Sequence, residues 1–150
     1  TRAEVATIFY RLLQDEAREN VWSRTNSYSD VASGVWYNSA VSTLTNAGIL
    51  TGYEDGTFRP NQNIKRDEAM KIINKVLFRT PDKEHFLPDM ITWPDNSDTD
   101  AWYYTDVQEA TNNHDYERVN NTSPETWTQI TPARDWKALE AELAQKYPNR

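Results

Sequence analysis

The chain has 150 residues, of which 37% are hydrophobic and 12% aromatic, so it can bury one ordinary core and does not have the composition of a disordered protein. Its formal net charge of −7, with 16 scattered Lys and Arg residues, argues against nucleic acid as a partner, because phosphate binding relies on a basic stripe. No apolar run approaches the roughly 18 residues that cross a bilayer, so we expect no membrane insertion. Because no cysteine is present, disulfides and thiolate metal sites are excluded.

Two segments that start 64 residues apart open in a similar way, with TRAE at residues 1–4 and KRDE at residues 65–68. Apolar residues then recur at spacings of three and four, which predicts one-sided helices near residues 2–14 and 66–78. The spacing of Thr1 and Glu4 is also that of a capping box, in which each side chain accepts a hydrogen bond from the other residue's backbone.

A second pattern lies between these helices and returns downstream. Residues 28–31 lead to Trp36-Tyr37 and an apolar helical face near residues 36–47, which Gly48 ends. Residues 87–90 and 102–103 repeat this layout, which predicts helices near 102–112 and 132–146. The gapless alignment of residues 36–64 with residues 102–130 places Pro132 on Arg66, so we expect Thr131 to cap the last helix and the role of Arg66 to be lost or altered in this third unit.

The longest ordered string in the chain carries a family resemblance. Residues 28–31, 36–37, 48–61 and 64–68 read YSDV, WY, GILTGYEDGTFRPN and IKRDE, and this string resembles the S-layer homology domain. The resemblance implies an all-α fold, with tandem helical repeats around a pseudo-threefold axis and turn-rich loops. We assign residues 1–27 to the second half of repeat one plus a connector, 28–80 to repeat two and 81–150 to a degenerate repeat three.

The resemblance also implies a function. Domains of this family bind secondary cell-wall polysaccharide in the grooves between repeats, often through a pyruvylated sugar that carries a carboxylate. We therefore expect a non-catalytic, exported module without a cofactor that anchors a larger protein to the cell wall or S-layer surface of a bacterium, of the Gram-positive type. The alternative is a protein-interaction or S-layer self-assembly module that does not bind glycan. A glycoside-active enzyme is the third hypothesis, although no pair of carboxylates stands out for that chemistry.

Arg2 and Arg66 are the first candidate site residues. A cation in the first turn opposes the positive end of the helix dipole, at a cost of up to about 1 kcal/mol. A guanidinium beside free helix N–H groups would make an anion site, and within the family motif we favour that interpretation. The alternative is that both arginines form salt bridges or simply lie on the surface.

The other candidates each have a structural alternative. Trp36 and Trp102 begin helices, where either residue can stack on a sugar ring or pack in the core. Gly48 and Ile49 could offer backbone N–H groups to a glycan, although such a glycine also ends a helix. Asp30 could bind a sugar hydroxyl or cap the following segment. The predicted glycan-binding residues are Arg2, Arg66, Trp36, Trp102, Asp30, Gly48 and Ile49.

No metal site is expected from the sequence. Its two histidines, His85 and His114, have no His or Cys neighbours of the kind that zinc sites need. Residues 95–100 read DNSDTD, which resembles a calcium loop but lacks the glycine and the terminal glutamate of an EF-hand. We interpret that run as a solvated insertion.

Overall fold

A computed structural model describes residues 1–148, so the last two residues of the predicted third repeat lie outside the described part. The helices and strands follow one another along the chain with two short 3-10 turns, at Lys83–His85 and Pro94–Asn96, between them. The elements are α1 (Arg2–Leu12), α2 (Asp15–Val21), α3 (Asn38–Asn46), α4 (Arg66–Val76), α5 (Tyr104–Thr111), β1 (His114–Glu117), β2 (Thr126–Ile130) and α6 (Trp136–Lys146). Within residues 1–148, none of the helices has the length and apolar character that a membrane span requires.

The start of α1 confirms the predicted capping box. The Thr1 hydroxyl accepts from the Glu4 backbone N–H, and the Glu4 carboxylate accepts from the Thr1 amine at 2.7 Å. The next free N–H groups are also satisfied, because the Arg2 N–H donates to the Gln62 carbonyl at 2.9 Å and the Ala3 N–H to the Pro60 carbonyl at 3.0 Å. The loop before α4 therefore satisfies free N–H groups at the N-terminal end of α1.

The main core lies between α1, α3, α4 and the segment that joins α3 to α4. It is built from the apolar face of each helix and from the segment's two large side chains, Leu50 and Phe58. Helix α3 is followed closely by Gly48, whose φ of +70° suits glycine, and the following chain turns back over the core. The buried members of this core are Ala3, Ala6, Val31, Tyr37, Val41, Leu44, Leu50, Phe58 and Ile72.

The same helix pairing occurs twice in the chain. Helix α1 packs on α3, and α4 packs on α5. The dipeptide before each second helix has the same geometry, since the rings of Trp36 and Tyr37 meet edge to face at 5.1 Å and those of Trp102 and Tyr103 at 5.4 Å. The predicted boundaries of the three repeats stay a prediction.

The all-α prediction is wrong. Strands β1 and β2 form an antiparallel two-stranded sheet that pairs His114 with Ile130 and Tyr116 with Trp127. The reason lies in local sequence that the alignment with repeat two concealed. Residues 126–130 read TWTQI, rich in β-branched and aromatic side chains, and residues 120–124 read NNTSP, which favours a turn. The described residues are therefore a mixture of helices and a small sheet.

The last helix begins later than predicted, and an additional helix was missed. Asp135 caps α6 by accepting from the Ala138 N–H at 2.9 Å, whereas the Thr131 N–H donates to the Asn113 carbonyl at 2.8 Å and extends the hairpin. Pro132 therefore precedes the helix and does not take the place of Arg66. Helix α2 was not predicted, because its sequence DEARENV has no apolar face.

The close approach at Gly52 gives a test of the fold. A Cβ at this position would lie 2.2 Å from the Tyr28 ring and 2.6 Å from the Thr57 carbonyl oxygen. We expect Gly52→Ala to lower the free energy of unfolding by about 1–3 kcal/mol, the usual cost of overpacking. Gly34→Ala is the control, since a Cβ there meets no atom within 4 Å. Urea unfolding of both variants measures the difference, and equal stability would contradict the packing described.

Candidate binding groove

An open groove of about 640 Å³ lies beside the main core. It is lined by the start of α1, the segment after α3, the inner side of α4 and the residue pair that precedes α5. Residues as far apart in sequence as Arg2 and Trp102 therefore share one surface. The lining residues that matter below are Arg2, Ile49, Tyr53, Arg59, Glu68, Lys71 and Trp102.

The Arg2 side chain forms the floor of the groove. It is only 6% exposed, and its guanidinium is bonded on three sides. Nη1 donates to Glu68 Oε1 at 2.7 Å, Nε to the Phe58 carbonyl at 2.9 Å and Nη2 to the Thr51 carbonyl at 3.3 Å. The salt bridge that was the alternative for Arg2 is thus present, and a ligand here would meet the side chain rather than a free helix terminus.

Glu68 links Arg2 to the aromatic side chain of Tyr53. The Tyr53 hydroxyl donates to Glu68 Oε1 at 2.9 Å. Burial acts to raise the pKa of Glu68, but hydrogen bonds from the Lys65 backbone and the Tyr53 hydroxyl, together with the charge of Arg2, outweigh it and leave the pKa below its usual value. Burial and this same carboxylate raise the pKa of Tyr53. Glu68 is therefore an anion and Tyr53 a neutral donor at neutral pH.

A second cation covers the outer face of Tyr53. The Arg59 guanidinium lies 3.9 Å from the centre of the Tyr53 ring and donates to Asp55 Oδ2 at 2.9 Å. Hydrogen bonds from Thr57 and Arg59 lower the pKa of Asp55 to about 2. Both arginines of the groove thus have an internal carboxylate partner.

Lys71 is different from the two arginines. Among residues 1–148 it forms no ion pair, and its ammonium lies 4.7 Å from the centre of the Trp102 ring. The neighbouring Lys75 donates to the Gly48 carbonyl at 2.7 Å, and burial together with the charge of Lys71 lowers its pKa. Two cations therefore lie close together where Trp102, 57% exposed, borders the groove.

Arg66 lies in a separate, smaller cavity of about 230 Å³. Its Nη1 donates to Asp95 Oδ2 at 2.5 Å, and its guanidinium lies 5.2 Å from the centre of the Trp93 ring. Both partners of this ion pair are substantially exposed. The two predicted arginines thus occupy different surfaces, one buried within its network and the other near solvent.

Of the next three predicted residues, Ile49 lines the groove, whereas Gly48 and Trp36 do not. Ile49 lines the groove beside Trp102, but its N–H donates to the Leu44 carbonyl at 2.9 Å, and the Gly48 N–H donates to Thr45. Trp36 is 66% exposed and lines neither cavity.

Asp30 has a structural role in the segment after α3. Its two carboxylate oxygens accept from the backbone N–H groups of Phe58 and Arg59, each at 2.8 Å. The carboxylate thus holds the turn in which Arg59 adopts a φ of +57°, next to the buried Phe58.

Tyr53, Arg59 and Lys71 were not predicted as site residues. Tyr53 and Arg59 belong to the family-like string, but their spacing alone does not show that the cation stacks on the ring. Lys71 directly precedes the core residue Ile72, which places it at the edge of the buried face of α4. This position on α4 was the sequence feature from which Lys71 could have been predicted as a site residue.

Comparison with known proteins supports the family resemblance. The sequence profile of the S-layer homology domain matches residues 27–70. This chain contains an S-layer homology domain. The matched S-layer homology domain includes α3, the groove segment and the first turns of α4, whereas Arg2 and Trp102 lie on either side of it.

Three similar proteins are, by name, a cell surface glycoprotein, a cellulosome-anchoring protein and an outer membrane protein. Cell surface glycoprotein 1 of Acetivibrio thermocellus is 31% identical over 122 residues, which are 77% of this chain and 5% of that protein. The cellulosome-anchoring protein of the same organism is 31% identical over 121 residues, or 81% of this chain and 26% of its own length. Outer membrane protein SlpA of Deinococcus radiodurans is 43% identical over 56 residues, 37% of this chain and 5% of that protein.

The chain therefore spans from a twentieth to about a quarter of the length of these relatives. No solved structure shows significant similarity to it.

The contrast between the two arginines can be measured as stability. Arg2→Ala leaves Glu68 buried without its cation, and we expect a loss of about 3–5 kcal/mol in the free energy of unfolding. Arg66→Ala removes an exposed ion pair and should cost at most about 1 kcal/mol. Urea unfolding of both variants tests this difference. A larger loss from Arg66→Ala would make Arg66 the structural residue and Arg2 the dispensable one.

Proposed function

We propose that this chain anchors a larger exported protein to a bacterial cell surface by binding an acidic wall polysaccharide in the groove. The observation that carries the proposal is the convergence of Arg2, Ile49 and Trp102 on one concave surface. These three were named as glycan-binding residues from separate parts of the sequence. In the family that the chain resembles, the ligand is secondary cell-wall polysaccharide, often with a pyruvylated sugar.

The Trp102 end of the groove has the chemistry for an acidic sugar. An exposed indole offers a flat apolar face on which the C–H face of a sugar ring can stack, and exposed aromatic side chains are typical of recognition sites. Lys71 lies beside that indole with no carboxylate of its own among the described residues. A compact ammonium on a flexible stem suits a single carboxylate, such as that of a pyruvyl group.

Charge explains why this end favours an anion although the chain is acidic overall. The groove also contains Glu54, Asp55 and Glu68, but the last two are paired with arginines. Lys71 instead has the cation Lys75 as its neighbour, and the lowered pKa of Lys75 reflects burial and this repulsion. A ligand carboxylate between them would relieve the repulsion, so an anionic sugar gains more here than a neutral one.

The relatives support the part of the proposal that concerns the cell surface. Their names refer to the cell surface, to cellulosome anchoring and to the outer membrane, and none of these three names is that of an enzyme. A cell-surface location and a non-catalytic role for this chain follow as proposals. Because one of these relatives is named an outer membrane protein, a Gram-positive source stays a prediction.

A second candidate function is assembly with another protein subunit. It is favoured by the large apolar side chains that the hairpin and α6 leave exposed, since Val119 is 93%, Trp136 63% and Leu143 43% exposed. Such a module would associate with protein whether or not glycan is present.

Binding to purified cell walls separates the two functions. We expect Trp102→Ala and Lys71→Ala each to weaken co-sedimentation with walls by about tenfold, equivalent to about 1.4 kcal/mol. Trp136→Ala and Lys137→Ala are the matched controls, because they remove an exposed tryptophan and an exposed lysine outside the groove. Arg66→Ala tests whether the smaller cavity contributes.

Two further comparisons identify the ligand. Binding should fall when the secondary polysaccharide is removed from the walls, and a soluble pyruvylated fragment should bind more tightly than its depyruvylated counterpart. Equal binding to stripped and intact walls, with a loss caused only by Trp136→Ala, would replace the anchor by the assembly module.

A further inference from the structure

Three ionisable side chains meet in the interior beside the hairpin. Glu109 of α5, His114 of β1 and Glu125, just before β2, each offer a ligand atom within 4.8 Å of the others. Glu109 and Glu125 are 0% exposed, and the side chain of His114 is 2% exposed. None of the three lines the groove described above.

A hydrogen bond sets the orientation of the imidazole. His114 Nδ1 lies 2.8 Å from the Asn112 carbonyl oxygen, which can only accept, so Nδ1 carries the proton. In the neutral ring, the lone pair of Nε2 then faces the two carboxylates. Metal-binding histidines have this arrangement, in which the other ring nitrogen donates to a backbone carbonyl and fixes the tautomer.

Two of the atoms that face one another, one on His114 and one on Glu125, have no hydrogen bond within the protein. Nε2 lies 3.1 Å from Glu109 Oε1 and 4.0 Å from Glu125 Oε2. Glu125 Oε2 and His114 Nε2 are both buried without a hydrogen bond partner. Ligands about 2.1 Å from a tetrahedral Zn²⁺ ion lie about 3.4 Å apart, so these distances need little adjustment to enclose such an ion.

Two arginines approach the carboxylates from the outside. Arg79 Nη1 lies 3.2 Å from Glu109 Oε1, and Arg118 Nη1 lies 3.3 Å from Glu125 Oε1. Both distances exceed the roughly 2.7–2.9 Å of strong charge-assisted hydrogen bonds. The arginine side chains are 30% and 21% exposed, and the contact of Arg118 with Glu125 Oε1 leaves Glu125 Oε2, the oxygen nearer His114, without a partner.

Aromatic rings shield the cluster on one side. The Trp127 ring stacks on the His114 ring at 4.0 Å, and its Nε1 donates to Glu109 Oε2 at 2.9 Å. The Phe86 ring packs against Trp127, with 4.5 Å between the ring centres. The low dielectric of such surroundings makes unpaired carboxylate charge costly and strengthens its interaction with a cation.

We propose that Glu109, His114 and Glu125 bind a divalent transition-metal ion of the Zn²⁺ type, which joins the β1–β2 hairpin to α5. Imidazole with carboxylates is a ligand set that suits such ions. The sequence analysis expected no metal site. Glu109 and Glu125 lie 5 and 11 residues from His114 in sequence, and only the packing of the hairpin on α5 brings the three side chains together. The ion would have a structural role.

Protons must leave before the ion binds. Burial and the neighbouring charge of Glu109 raise the pKa of Glu125 to about 6, and the contact with Glu109 raises that of His114 despite its burial. Binding of Zn²⁺ would therefore release protons.

Calorimetric titration of the metal-free full chain with Zn²⁺ at pH 7 tests the proposal. We expect one ion per chain and a melting temperature that rises with Zn²⁺ concentration. His114→Gln should weaken binding by more than about 100-fold, the upper limit for loss of a mere supporting hydrogen bond. His85→Gln, which removes the other histidine, and Glu117→Gln, which removes an exposed carboxylate of the same hairpin, should bind like the unmodified chain.

A second measurement does not depend on the folding of a variant. In imidazole ¹⁵N spectra of the unmodified chain, Zn²⁺ should shift Nε2 of His114 and leave His85 unchanged. Absence of binding, or binding that His85→Gln abolishes and His114→Gln preserves, would overturn the proposal. The cluster would then be an imidazolium–carboxylate pair.

Discussion

The buried ion pair between Arg2 and Glu68 is the interaction on which the main core depends. It joins the first residue of α1 to the first turn of α4, and through the Phe58 and Thr51 carbonyls it also holds the segment that follows α3. A buried guanidinium tolerates this position only because every side of it is bonded. The same network shapes the floor of the groove, so the stability of the fold and the form of the candidate site cannot be varied independently.

The segments that follow α3 and α5 cover the helices in different ways. The segment after α3 has no strand, and Asp30 holds it by accepting from the Phe58 and Arg59 N–H groups while Phe58 fills the core. The segment after α5 extends into a hairpin, and Trp127 takes the buried position. The hairpin brings acidic residues and a histidine inside with that tryptophan, where their charges need partners.

The groove and the buried cluster illustrate two ways of placing charge in an acidic protein. In the groove, the arginines are paired internally and Lys71 stays available at the surface, beside an aromatic ring. An anchor of the proposed kind would benefit from that arrangement, since a net negative chain discourages nonspecific polyanion binding while one local cation could still select a carboxylate. In the cluster, each buried carboxylate has an arginine beside it, and His114 Nε2 and Glu125 Oε2 remain without a hydrogen bond partner.

The helices with a clear apolar face, the capping box of Thr1 and Glu4, the helix stop at Gly48 and the S-layer homology domain could all be predicted from the sequence. These features depend on neighbours within a few residues or on a long ordered motif. Only the tertiary structure decided that Arg2 is buried while Arg66 is near solvent, that Trp102 shares a groove with Arg2, and that the third segment forms a hairpin around His114. Each of these depends on contacts between residues far apart in sequence, and local periodicity carries no information on which distant side chain will lie opposite.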